Sequence, residues 1–308
     1  MADLRHYRSL IMDSSRWWDF EFRTGDVVIS TPPKAGTTWT QMLCALLIFD
    51  SDTFYAPLSH ISPWLDMSLY PPAEVTATLA AQEHRRFIKT HTPLDGIPYD
   101  ERVTYVCVGR DPRDAYVSWM HHMANMDIPS LLRAREIAIG LDDLGDFDLS
   151  LPEYTDPVER FLAWVDDDAD FSTLKAALHH YRTFWECDLP NAAMFHYSDL
   201  KLDLPGQMRR LADVLDIEVS DERLAQLAAA ASFSQMKQRA EDVAPNAHHK
   251  IWLSTNEFFH RGSSGQWHEI LDDTALARYE QRVAALAPAE LATWSHHGWL
   301  GNAVTPTG

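Results

Sequence analysis

The sequence predicts an α/β domain built on a central parallel sheet flanked by helices. Three observations carry this expectation. A short β-branched run, Val27–Ser30 ("VVIS"), is followed after a small loop by apolar residues at helical spacing over Thr37–Phe49. A second strand-then-helix pairing joins Val103–Val108 ("VTYVCV") to "RDPRDAYVSWMHHM". Two more strand candidates, Arg86–Lys89 ("RFIK") and Ala192–His196 ("AAMFH"), continue the alternation, which is the pattern of a sheet covered on both faces.

Each element has a local reason. In Thr37–Phe49 the apolar stripe is Trp39, Met42, Leu43, Leu46 and Leu47, and Thr37 or Thr38 offers a hydroxyl cap. Asp111 is a cap for the next helix, with Pro112 at its first position. Parallel sheets of this kind bind ligands beyond the carboxyl ends of their strands. The segment 127–171 is acidic, with "LDDLGDFDLSLPEYTD" and "DDDAD" inside it. It reads as a solvated insertion in a single domain spanning 1–308, and as a candidate lid. Its carboxylates lack the alternating spacing of a calcium loop. Lys237–Trp267 is polar and turn-rich and ends in "FFHRGSSGQW", which suits either a linker or anion binding by Arg261.

Charge narrows the function. Lys and Arg number 26 against 45 Asp and Glu, a net charge of −19 over 308 residues. Such a surface repels nucleic acid and anionic membrane, so any anionic ligand needs a local basic site. Cys44, Cys107 and Cys187 form no CxxC pair, which fits a reducing compartment. The longest apolar run, Met42–Phe49, is too short to span a membrane, and the first residues contain no apolar core of signal-peptide length. A cytoplasmic protein is the expectation.

The loop "STPPKAGTTWTQ" (Ser30–Gln41) is P-loop-like, yet Lys34 precedes Gly36 instead of following the second glycine of G-x-x-x-x-G-K-[ST]. A strand, a glycine turn and a helix start gather free N–H groups and partial positive charge, so an anion sits there readily. Lys34 adds a full charge, and Thr37 and Thr38 add hydroxyl donors. On these residues alone, a plain strand-to-helix turn with a surface lysine and a core Trp39 remains equally open.

Four segments together resemble the cytosolic sulfotransferases, and the appearance is that of actinobacterial members. "TPPKAGTTW" is similar to the family's 5′-phosphosulfate loop, TYPKSGTTW. "VGRDPRDAYVSWMHH" resembles its 3′-phosphate segment, which sets an arginine and a serine eight residues apart, here Arg110 and Ser118. "FIKTHTP" resembles its KTH segment, and "FFHRGSSGQW" its RKGxxGDW loop. The resemblance implies transfer of the sulfuryl group of 3′-phosphoadenosine 5′-phosphosulfate (PAPS) to a hydroxyl acceptor, leaving adenosine 3′,5′-bisphosphate (PAP). It assigns His91 as general base and places Lys34, Lys89 and Ser118 around the transferring group. The donor would be held by Lys34, Ala35, Gly36, Thr37, Thr38, Trp39, Arg110, Ser118, Tyr197, Ser232, Phe233, His260, Arg261 and Gly262. Trp39 and Phe233 would flank adenine and Tyr197 would bond it. Ser118 would hold Lys34 until the acceptor binds.

Several positions depart from the family pattern. Pro32 replaces tyrosine, Ala35 serine, Ala231 threonine and His260 arginine. "HEILDDTALA" lacks the dimer segment KxxxTVxxxE, so dimerisation by that route is not expected. The adjacent histidines at 121–122, 179–180, 248–249 and 296–297 do not share a helix face, and HExxH is absent, so no metal is expected. Trp64, Tyr70, Trp119 and Met123 suggest an apolar or glycolipid-like acceptor. Two other readings compete: a kinase with an unusual P-loop, and a nucleotide-binding protein without catalysis.

Overall fold

The computed structural model describes residues 4–147, 154–245, 250–259 and 262–304. Two-residue strands β1 (Arg8–Ser9) and β2 (Met12–Asp13) pair antiparallel near the N-terminus. The main sheet holds β3 (Val27–Ser30), β4 (Phe87–Thr90), β5 (Thr104–Gly109) and β6 (Ala192–His196). Its order is β4-β3-β5-β6 and every pairing is parallel.

Side chains alternate across these strands, as strand geometry requires. Val27, Ile29, Phe87, Val106 and Val108 enter one core with Met42, Leu43 and Leu46 of the helix Thr37–Phe49. Val28, Ile88, Tyr105 and Cys107 enter the other, with Leu178, Tyr181, Tyr279 and Trp294. Apolar residues on both faces explain why the strands read as unbroken hydrophobic runs. Two strands start one residue later than the sequence suggests. Arg86 precedes β4; its carbonyl accepts from Val27 N at 2.9 Å while its Nε donates to Asp26 Oδ1 at 2.8 Å in a buried ion pair.

The helix Pro112–Ala124 begins as expected. The Asp111 carboxylate accepts from Arg113 N, and Pro112 occupies the first turn. The segment 127–171 is more packed than its acidity suggests. Its helix Ile128–Ile139 buries Leu131 and Ala134, and its helix Pro157–Asp166 buries Phe161 and Val165. Arg135 is 1% exposed and donates to Leu10 O, Gly140 O and Asp143 Oδ2 at 2.7–2.9 Å. Of its described carboxylates only Glu136, Glu159 and Asp166 lie in these two helices, at exposed positions, and the others lie in caps and connections.

At the end of β5 the chain passes close beneath Trp294. A Cβ on Gly109 would overlap the Trp294 ring. Gly109→Ala is therefore expected to destabilise the fold by about 1–3 kcal/mol, the cost of overpacking a filled core. Urea unfolding checks this; a change within about 0.5 kcal/mol, as for a surface site, would contradict the contact.

Candidate active site

The loop after β3 has a strained backbone. Lys34 adopts φ +66°, in the left-handed region, and Gly36 adopts φ +111°. A Cβ at Gly36 would lie 3.1 Å from the Tyr197 ring, so glycine serves both conformation and clearance. Gly36 itself precedes the helix Thr37–Phe49, and no side chain caps it. The expected threonine cap does not form. Thr37 Oγ1 instead meets Thr31 Oγ1 at 2.5 Å, tying the loop to itself. The first-turn amides of the helix thus stay available to a ligand. Ala35 is fully buried, and its N–H donates to Pro32 O at 3.3 Å within the turn, so it lies behind the cradle and outside its wall.

Neighbouring strands bring the other groups to the same edge. β3 and β4 align Ser30 with Thr90, so His91 emerges beside Thr31. His91 Nδ1 donates to Thr31 O at 2.7 Å, which leaves Nε2 as the lone-pair nitrogen. Burial, then the charge of Lys89, hold its pKa well below the usual 6.5. Lys89 Nζ lies 4.2 Å from the centroid of the Trp64 ring, and burial brings its pKa down to about 7. Arg110 leaves the end of β5. Its Nη1 donates to Lys34 O at 3.0 Å, its guanidinium lies 4.5 Å from the Tyr197 ring centroid, and its buried Nε has no partner among the described residues. Neither neighbouring aspartate pairs with it. Asp111 pairs with Arg113, and Asp114 accepts from Gly265 N.

These groups line one cavity of about 370 Å³. Its wall contains Lys34, Gly36, Thr37, Thr38, Trp39, Lys89, His91, Arg110, Ser118, Tyr197, Ser232, Phe233 and Gly262. Lys201 adds a fourth cation, and no aspartate or glutamate appears in its described lining. Lys34 titrates near 7 because of burial, then Arg110 and Lys89. The residues expected to flank adenine cluster as well. Trp39 and Tyr197 meet edge-on at 5.3 Å, and Trp39 Nε1 donates to Ala231 O at 2.9 Å. That bond uses the backbone of residue 231, so alanine there keeps it. Gly262 lies against the Phe233 ring. His260 and Arg261 fall outside the described residues. Arg113 is occupied elsewhere, paired with Asp111 and stacked 3.8 Å over Trp267.

Sequence reasoning missed His122. Lys34 Nζ meets His122 Nδ1 at 3.2 Å, and this is the described polar partner of its ammonium, not Ser118 one helical turn earlier. Phe258 lies under the same lysine, 4.8 Å from Nζ to ring centroid. Burial, then Lys34, keep the His122 pKa well below 6.5. The only available signal was helical spacing, since residues 118 and 122 share a face of Pro112–Ala124. Away from the cations the wall is apolar, with Met67, Trp119, Met126, Leu131, Phe171 and Trp252. Of the four residues expected around an acceptor, Trp64 and Trp119 line this cavity, Tyr70 lines a neighbouring one, and Met123 lines neither.

Comparison with known proteins identifies the family. A sulfotransferase domain matches residues 24–289. A glycolipid sulfotransferase of Mycobacterium bovis is 42% identical over 98% of this chain and 97% of its own length. A luciferin sulfotransferase of Photinus pyralis is 25% identical over 85% of this chain and 71% of its own. Among solved structures, a mouse sulfotransferase complexed with PAP superposes with a TM-score of 0.66 at 17% identity, covering 92% of this chain and 97% of that one. With the domain match over most of its length, the chain belongs to the sulfotransferase family.

Proposed function

We propose that the protein transfers the sulfuryl group of PAPS to a hydroxyl of a glycolipid-like acceptor. The observation that carries this reading is a cavity with four cations, an uncapped helix start and no described carboxylate, in a chain of net charge −19. Such a site takes a multiply anionic ligand. The donor's chemistry is loss of a sulfuryl group from its 5′-phosphate. The residues suit it: the unpartnered Arg110 Nε and the glycine cradle at Gly36 leave room and charge for phosphate. Lys34 and the amides of Thr37 and Thr38 would hold the 5′ side, Arg110 the 3′ side, and Trp39 and Phe233 the base.

His91 would accept the acceptor's proton at Nε2, since its Nδ1–H is fixed on Thr31 O. Lys89 and Lys34 would neutralise charge that develops between donor and acceptor, in a largely electrostatic in-line displacement. The apolar wall, including Leu131 and Phe171 from the segment 127–171, fits a lipid-like acceptor and a covering role for that segment. The kinase reading gives way to family membership. The reading without catalysis is met by assay: labelled PAPS offered with phenols, alcohols and glycolipids should yield a sulfated product.

Two outcomes are expected. His91→Ala should lower turnover by about 10²–10⁴-fold, the usual share of a positioned base, with PAP binding near wild type. Unchanged turnover in the transfer assay would remove His91 from the mechanism. The second concerns pH. Lys34 and Lys89 both titrate near 7 in the free protein, and a bound bisphosphate raises both values. Below 7 they are already charged. Above 7, binding must take up protons, so PAP affinity falls as pH rises from 7 to 9, by up to about tenfold per unit for each lysine. Calorimetry in buffers of different ionisation enthalpy reads the uptake directly; equal affinity at both ends of that range would exclude the lysines as phosphate ligands.

A further inference from the structure

A second cavity, of about 760 Å³, adjoins the first and shares Trp64, Lys89 and Pro245 with it. Trp64 stands at the junction, with its ring 4.7 Å from that of His91. The second cavity is lined partly by aromatic rings, Phe49, Tyr55 and Tyr70 among them. It also concentrates unmet hydrogen bonding. Three of its lining side chains carry a buried polar atom without a partner among the described residues: Trp64 Nε1, Gln82 Oε1 and His84 Nε2. Folded proteins leave few such atoms, and each asks for an explanation.

The chemistry of each atom follows from its surroundings. The Gln82 amide nitrogen donates to His60 O at 2.9 Å and Ile61 O at 3.3 Å, so the carbonyl oxygen is the unmet end. His84 Nδ1 donates to Arg85 O at 2.9 Å, so Nε2 presents a lone pair. An indole nitrogen only donates. The side chains of this wall therefore hold one donor and two acceptors that the described fold leaves unmet. An alkyl chain would satisfy none of them. An anion would meet two carboxylates, Glu74 and Glu83, against the one described lysine of the same wall, Lys89. Hydroxyl groups satisfy all three, because each both donates and accepts. Aromatic faces beside such groups suit a ring with an apolar face and polar edges.

We infer that this cavity is a carbohydrate subsite, taking a sugar ring of a glycosylated acceptor whose reacting hydroxyl extends past Trp64 to His91. The inference rests on the transferase reading above and specifies the acceptor. Sugar and lipid are then sorted by chemistry: the ring to the unmet polar atoms, the alkyl part to the apolar wall of the first cavity.

The test uses the full chain with PAP, and octyl β-D-glucoside and 1-octanol as probes. Thr78→Trp obstructs the cavity from an exposed helix face, and His84→Phe removes one acceptor while keeping a ring. Saturation-transfer NMR should show the glucoside's ring protons in contact with wild type and lost in Thr78→Trp. In His84→Phe the glucoside Kd should rise about tenfold, as for one ordinary hydrogen bond to a buried group. Octanol affinity and the thermal shift with PAP should stay as in wild type for both variants. Equal ring saturation in all three proteins, or octanol binding wild type as tightly as the glucoside, would overturn the subsite. Ring binding that behaves as described, with neither probe sulfated, would instead count against the transferase reading and leave the subsite standing.

Discussion

Register between parallel strands is the constraint on which the site depends. Ser30 lies beside Thr90, and Ile29 beside Val106, so three carboxyl ends open on one edge. The loop leaving β3 then serves its neighbours. Thr31 O fixes the His91 ring, and Lys34 O accepts from Arg110. One segment of backbone sets the tautomer of the imidazole and the aim of the guanidinium. A slip of one residue in either pairing would turn these side chains to the opposite face. The two cores prevent it, since Val27 and Ile29 pack on one side and Val28 on the other.

Charge raises a second problem. Gathering like charges in a low-dielectric cavity is costly. The empty site reduces that cost because Lys34 and Lys89 titrate near 7, so their charge is partial at neutral pH, and burial holds the pKa of His91 and His122 well below 6.5. Cation–π contacts with Trp64 and Phe258 hold the ammonium groups where an ion pair would ordinarily be found. A carboxylate partner would have stabilised the apo protein and competed with the ligand. On the proposed function, full charge develops when the anionic donor arrives, and no described aspartate or glutamate enters this wall.

Much of this was legible in the sequence, and the boundary is physical. Val27–Ser30 and Ala192–His196 are strands as read, and Thr37–Phe49 is a helix with the stated limits, because apolar period and length left no rival. Asp111 and Pro112 announce a helix start by chemistry confined to adjacent residues. The threonine cap failed because capping depends on where a hydroxyl's other partners lie, and Thr31 was nearer. His122 was invisible for a similar reason: its contact with Lys34 spans 88 positions, and nothing local marks it. The segment 127–171 misled by composition, since its described carboxylates lie mostly in caps and connections while its helices bury Leu131, Ala134, Phe161 and Val165. The second cavity rests on Trp64, Gln82 and His84, ordinary residues whose meaning comes from the partners they lack.

Lys34 carries a lesson for engineering. Its left-handed backbone costs about 1–2 kcal/mol for a residue with a Cβ, and glycine would avoid that cost. Glycine also has no amine. Folding and chemistry thus want different residues at one position. On the role proposed for Lys34, a laboratory selection scored on heat tolerance alone would drift toward glycine there and return a sturdier protein with a silent site. A selection scored on product would keep the strained lysine and look for heat tolerance elsewhere in the chain.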